Sequence, residues 1–74
     1  MPRLPRVSSK KVIRVLKGLG FQSVRQTGHV VLKKVTTDGV VGCVVPMHRE
    51  LKIGTLSSIL KQAKISPDDF IDHL

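Results

Sequence analysis

The sequence is poor in the residues that reinforce small domains or bind metals. It contains one cysteine, Cys43, which excludes an internal disulfide and a cysteine-based metal site. A lone thiol is typical of a reducing compartment, so we expect a cytoplasmic protein. Trp and Tyr are absent, and Phe21 and Phe70 are the only aromatic residues. Recognition of nucleic acid by stacking bases on aromatic rings is therefore not expected.

Acidic residues are also few, and the charges are unevenly distributed. The chain carries 13 Lys and Arg against 5 Asp and Glu, a formal net charge of +8 at pH 7. All the acids follow residue 37, and Asp68, Asp69 and Asp72 cluster at the C-terminus. This balance indicates a polyanionic partner, although a run of like charges is equally typical of a solvated surface.

Long apolar runs and clusters of carboxylates are missing as well. No apolar stretch approaches the roughly 18 residues that a membrane-spanning helix needs, and the N-terminus lacks the apolar segment of a signal peptide. We therefore expect no membrane association. The acids are too scattered in the sequence to suggest a two-metal nuclease, and there is no Walker loop, zinc motif or Ser–His–Asp signature. We expect neither a metal nor a cofactor.

The residues that are present predict an α+β fold in the order α-β-β-β-α. Residues 1–7, rich in proline and arginine, predict a flexible basic arm, and residues 8–74 a single domain. Consecutive strands predict an antiparallel sheet of three strands with the helices on one face. The predicted elements are a helix from Ser8 or Ser9 to about Leu19, strands over residues 21–26, 29–35 and 40–45, a helix capped by Thr55, and a short C-terminal helix capped by Ser66.

Basic residues on the first helix and on the strands are candidates for binding RNA. Lys10, Arg14 and Lys17 are spaced by four and three residues, which places them on the helix face opposite the apolar residues. They form either an ordinary solvated face or a stripe that follows the phosphates of a nucleic acid. We assign the same role to Arg25 and Lys33.

The turn between the second and third strands determines which residues face each other. Residues 38–39, Asp-Gly, are a strong hairpin signal. If they form the loop, His29 lies opposite His48. If residues 36–39 form a four-residue loop instead, Pro46 lies opposite His29 and His48 is two residues away. Both registers bring the two histidines to the same end of the hairpin.

The candidate catalytic residue lies on the outer face of this hairpin. Gly28 precedes His29 and can let the backbone turn or approach a ligand closely. Histidine suits proton transfer near neutral pH, and RNA cleavage needs a base for the ribose 2′-OH and cations for the phosphate. His29 is therefore a candidate general base and His48 a secondary catalytic candidate, with surface histidines of no function as the alternative. Alternation assigns Val30, Leu32, Val41, Cys43 and Val45 to the core, and His29, Val31 and Lys33 to the outer face.

Several motifs resemble, in the same order, those of the HicA toxin family. The resemblance covers nearly the whole chain from Ser8 onward. The motifs are Lys10-Lys11-Val12-Ile13, Leu19-Gly20-Phe21, Arg25-Gln26-Thr27-Gly28-His29, Val45-Pro46-Met47-His48, Gly54-Thr55-Leu56 and Ile59-Leu60-Lys61-Gln62-Ala63.

The resemblance implies a fold like the double-stranded-RNA-binding domain and ribosome-independent cleavage of mRNA. It also implies one essential histidine and neutralisation by a HicB antitoxin encoded alongside. The family's catalytic histidine corresponds to His29, and the histidine of its Val-Pro-x-His motif to His48. Where the family commonly has Gly-Ser-His, this chain has Thr-Gly-His, so no serine directly precedes His29.

The leading hypothesis is a toxin of a type II toxin–antitoxin pair that acts as a metal-independent mRNA endoribonuclease with a histidine general base. The first alternative is a non-catalytic RNA-binding module of the same fold, because a basic helix and sheet can bind RNA by shape alone. A second alternative, a DNA-binding or interaction protein that acts only with its partner, is less well supported, because three strands separate the first two helices and no helix-turn-helix is present.

Overall fold

A computed structural model describes residues 4–74 and shows the predicted order of elements. One sheet of three strands has the order β1-β2-β3, with both neighbouring pairs antiparallel. None of the helices within residues 4–74 combines the length and the apolar composition of a membrane-spanning segment. The elements are α1 (Ser9–Gly18), β1 (Gln22–Gln26), β2 (His29–Thr36), β3 (Gly39–Pro46), α2 (Ile53–Ala63) and α3 (Pro67–Asp72). The α+β fold with a short C-terminal helix is confirmed.

Local sequence signals account for both ends of α1. The Ser8 hydroxyl accepts a hydrogen bond from the Lys11 N–H at 3.1 Å, so Ser8 is the N-cap. At the other end, Gly20 adopts a φ of 102°, and the Phe21 N–H donates to the Leu16 carbonyl at 3.0 Å. This is the Schellman arrangement, which favours glycine because other residues are strained at positive φ.

The start of α2 differs from the prediction. The helix begins at Ile53, and its N-cap, Lys52, makes no capping hydrogen bond through its side chain. Thr55 therefore lies in the first turn and is not the cap. Leu51 and Leu56, just before the cap and in the first turn, are both buried. These positions are those of a hydrophobic staple, so packing, and not a capping side chain, sets where α2 begins.

The β2–β3 hairpin adopts the second predicted pairing of residues, but its loop is the two residues 37–38 and not the predicted four-residue loop 36–39. Thr36 pairs with Gly39 and His29 with Pro46, so the register with residues 38–39 as the loop is wrong. Gly39 instead occupies the first position of β3, at a φ of 129°. The Thr36 hydroxyl donates a hydrogen bond across the turn to the Gly39 carbonyl at 2.8 Å.

An irregularity in β1 sets the position of Arg25. Ser23 pairs with Leu32, but Arg25 pairs with the next residue back, Val31, so Val24 is the extra residue of a β-bulge. Directly paired residues share a face of the sheet. Arg25 therefore lies on the same face as Val31, which is the face that carries His29.

The core lies between the sheet and the helices, which pack on one face of the sheet. Val30, Leu32, Cys43 and Val45 are buried, as the alternation predicts, and Val41 is half-buried at the edge of the core. The helices contribute most of the other buried side chains. These are Val12, Val15 and Leu16 of α1, Leu56, Ile59, Leu60 and Ala63 of α2, and Phe70 of α3.

Part of the predicted N-terminal arm contacts the domain. Residues 1–3 lie outside the described residues. Leu4 and Val7 pack against the core, and the Val7 carbonyl accepts a hydrogen bond from the Leu51 N–H at 2.8 Å. The flexibility of residues 1–7 and the domain boundary at residue 8 stay predictions.

Candidate active site

His29 is the first residue of β2 and is exposed. The turn before it is closed by a hydrogen bond from the Thr27 N–H to the His29 carbonyl at 3.0 Å. Gly28 lies in this turn, but its φ is not positive and a Cβ there would meet open space. The turn at Gly28 therefore does not use a backbone conformation that only glycine adopts readily. The close approach of a ligand at Gly28 stays a prediction.

His48 follows β3 by two residues and lies against the start of α1. Its backbone N–H donates to the Ser9 hydroxyl at 2.8 Å, and its carbonyl accepts from the Ser9 N–H at 3.1 Å. The side chain is exposed. It lines a surface cavity of about 370 Å³ together with Ser8, Lys10, Met47 and Arg49. His48 thus shares a concave surface with cations.

Three elements meet at this edge of the molecule. His29 at the start of β2 pairs with Pro46 at the end of β3, and the Ser9 hydroxyl donates to the Pro46 carbonyl. Lys10 is the next residue along α1 and lines the cavity with His48. Both imidazoles are exposed, and imidazole can accept or donate a proton near neutral pH. The predicted clustering of the two histidines at one end of the hairpin is confirmed at the level of the backbone.

The predicted RNA-binding cations do not form one surface. Lys10, Arg14 and Lys17 are exposed along α1, which packs on the core face of the sheet. Arg25 and Lys33 are exposed on the outer face, with His29. The structure therefore divides these residues into a helix stripe and a sheet group, and only Lys10 lines the cavity beside His48.

Two other kinds of reactive group, a metal cluster and a thiol, could supply chemistry within residues 4–74. No group of three His, Cys, Asp or Glu residues there could hold a metal ion. Burial raises the pKa of the Cys43 thiol from 9.0 to about 11, because desolvation disfavours the thiolate. Since the thiolate is the nucleophilic form, Cys43 acts as a core residue at neutral pH.

Sequence reasoning missed two residues at the site. Arg49 adds a second cation to the cavity beside His48, and Ser9 hydrogen-bonds the segment that carries His48. Arg49 could have been predicted from the sequence, since it directly follows the Val-Pro-x-His motif. Ser9 was recognised only as a possible helix cap, because its partners are 37 and 39 residues away.

The sequence also matches a known protein family. A family model described as HicA toxin of bacterial toxin-antitoxin matches residues 9–65, which is more than half of the chain. The chain belongs to the HicA toxin family. No curated protein is significantly similar to it in sequence. The HicA match begins at Ser9 and includes both histidines, whereas α3 lies beyond its end. Membership of the HicA family assigns the protein to a toxin–antitoxin system.

Proposed function

We propose that this HicA-family protein is a metal-independent endoribonuclease that cleaves mRNA in the cytoplasm, with His29 as general base. The observation that carries the proposal is the exposed imidazole of His29 opposite Pro46, at the edge where Ser9 also holds the backbone of His48. Cleavage of a defined mRNA by the purified protein in EDTA, compared with His29→Ala, tests it.

The proposed reaction needs only groups of this edge. His29 removes the proton of the ribose 2′-OH, and the 2′-oxygen attacks the adjacent phosphorus. The bond from phosphorus to the 5′-oxygen breaks, and His48 donates a proton to that leaving oxygen. Lys10 and Arg49, which line the cavity with His48, stabilise the charge on the phosphate. No other reactant is required.

The alternative is a non-catalytic RNA-binding module with a fold like the double-stranded-RNA-binding domain. The exposed Arg14 and Lys17 of α1 favour it, because they do not line the cavity beside His48 and α1 packs on the sheet face opposite His29. Such a module would bind RNA by shape and phosphate contacts. Cleavage that depends on His29 separates the two functions.

Removing the α1 stripe should weaken RNA binding in a salt-dependent way. Lys10, Arg14 and Lys17 are exposed, and each contact with a single-strand phosphate contributes roughly −0.7 to the log–log slope of affinity against salt. We expect the triple alanine variant to flatten that slope by about 2. Fluorescence anisotropy with labelled RNA over a salt series measures the slope.

The matched control removes cations at the end of α2. Lys61 is exposed on α2, and Lys64 has a φ of 57°, so Lys61→Ala combined with Lys64→Gly keeps the backbone relaxed. We expect this variant to keep the wild-type slope. A slope that is unchanged in the α1 triple variant would show that the stripe is only a solvated face.

The proposed partner is a HicB-like antitoxin encoded beside this gene, and the outer face of the sheet fits such a partner. Val35, Val40 and Val44 are exposed there, next to the cations Arg25 and Lys33. An antitoxin with an apolar surface rimmed by acids would match both features and would cover His29.

Complex formation should protect His29 from chemical modification. Diethyl pyrocarbonate modifies exposed imidazoles, and mass spectrometry reports each histidine separately. We expect the co-expressed complex to protect His29 while His73, exposed on the distant C-terminal segment outside the family match, still reacts. Equal labelling of His29 in the free protein and in the complex, with RNA cleavage undiminished, would refute this mode of neutralisation.

A further inference from the structure

Ser9 joins the start of α1 to the segment that follows β3. It is fully buried, with 0% of its surface exposed. Its hydroxyl donates to the Pro46 carbonyl and accepts from the His48 N–H at 2.8 Å. Its own N–H donates to the His48 carbonyl at 3.1 Å. One residue therefore makes three hydrogen bonds to the Pro46–His48 segment.

The two bonds of the Ser9 hydroxyl are not needed to cap the helix. Ser8 already serves as the N-cap of α1 through its bond with the Lys11 N–H. A buried hydroxyl is costly unless it is hydrogen-bonded, and the Ser9 hydroxyl has two partners, both in the segment after β3. The bonds of Ser9 go instead to a segment that the sheet no longer holds.

The segment after β3 depends on such contacts for its position. β3 ends at Pro46, which has no N–H to continue a strand ladder. Beyond it, the Leu51 N–H bonds to the Val7 carbonyl at 2.8 Å. Between these points His48 is held by Ser9, and Lys10, the neighbour of Ser9, faces the same cavity as His48.

We propose that Ser9 is a positioning residue that holds His48 beside Lys10, so that both side chains reach the same RNA phosphate. The inference rests on the proposed function, in which His48 protonates the leaving oxygen. Groups that are held in place before the substrate binds lose little freedom in the reaction, and a small misplacement is costly to the rate. Ser9 itself touches neither the substrate nor the reacting atoms.

A double-mutant cycle tests whether Ser9 acts through His48. We expect Ser9→Ala to lower the cleavage rate by roughly 10–100-fold. In the His48→Ala background, Ser9→Ala should cause no further loss, because the group that it positions is gone. Equal losses from Ser9→Ala in both backgrounds, or no loss in either, would overturn the proposal.

A lower cleavage rate in Ser9→Ala could come from a less stable protein or from a displaced His48, so the two causes must be separated. All rates are measured at a temperature at which circular dichroism shows each variant to be folded. Ser66→Ala is the matched control: Ser66 caps α3 by accepting from the Asp69 N–H at 3.2 Å, far from the site in sequence. It should lower the melting temperature and keep the cleavage rate. Exchange of the His48 amide hydrogen should accelerate in Ser9→Ala relative to that of Val45.

Binding of an unreactive RNA distinguishes this inference from the proposed function. RNA with 2′-O-methyl groups keeps the phosphates but cannot undergo the attack. Ser9→Ala should weaken its binding when His48 is present and leave it unchanged in His48→Ala. If the wild-type protein cleaves no RNA but this coupling is found, the nuclease proposal fails and the positioning role stands. If the RNA is cleaved but binding, rate and amide exchange show no coupling, the positioning role fails.

Discussion

The His29→Ala protein is expected to fold normally and to lose RNA cleavage. His29 is exposed on the outer face of the sheet, away from the core, so its removal should change the free energy of unfolding by no more than ~0.5 kcal/mol. General acid–base catalysis is worth ~10²–10⁴-fold, and the rate should fall by that factor. Binding of RNA should be largely retained, because the cations remain in place.

The third histidine provides the matched control for this experiment. His73 is exposed at the end of α3, and its Nδ1 lies 2.8 Å from the Asp69 carbonyl oxygen. It lies outside the family match, and His73→Ala should cleave RNA at the wild-type rate. A stable His29→Ala protein that still cleaves at the original rate would leave an RNA-binding module or a contaminating nuclease as the explanation.

The dependence of the cleavage rate on pH tests whether the second histidine, His48, is the general acid. A general base and a general acid together give a bell-shaped profile. If His48 is the acid, the alkaline limb should disappear in His48→Ala while the acidic limb, due to His29, remains. Retention of both limbs in His48→Ala would show that His48 is not the general acid and only contacts a phosphate.

Phe70→Ala should have the largest effect on stability. The Phe70 side chain is fully buried, with 0% of its surface exposed, and it enters the core from α3, beyond the end of the family match. Truncating a buried phenylalanine costs about 3–5 kcal/mol, a large part of the 5–15 kcal/mol that typically stabilises a domain. The melting temperature should fall by more than ~10 °C, as measured by circular dichroism.

Leu74→Ala is the control for this truncation. Leu74 is an apolar residue of the same C-terminal segment, but 42% of its surface is exposed. Its replacement should change stability by no more than ~0.5 kcal/mol. An unchanged melting temperature in Phe70→Ala would mean that α3 does not belong to the cooperative core and that residues 9–65 are sufficient for the fold.

The secondary structure was largely predictable because its signals are local. Ser8 and Ser66 cap α1 and α3, and alternation along β2 separates Val30 and Leu32 from His29. The start of α2 was predicted wrongly because it depends on the packing of Leu51, a tertiary effect. The hairpin left two registers open, because an Asp-Gly pair does not by itself fix the length of the loop. Both predicted loops contained Gly39, which the structure places at the first position of β3.

The candidate residues could be predicted from their types and motifs, but their grouping could not. Sequence spacing placed Lys10, Arg14 and Lys17 on one face of a helix and His29 at the start of a strand. Spacing within an element says nothing about which face of the sheet a helix will cover. The separation of the α1 stripe from Arg25 and Lys33 therefore emerged only when the core residues of both elements were packed together.

By itself the sequence determined the order of elements, the apolar face of each and the chemical types available for a reaction, because these depend on residue identity and short spacings. Only the tertiary structure decided the bulge that turns Arg25 outward, the pairing of His29 with Pro46, and the bonds from Ser9 to Pro46 and His48. The physical reason is that such contacts join residues far apart in the chain. Their partners are selected by the packing of the whole core, which no local pattern encodes.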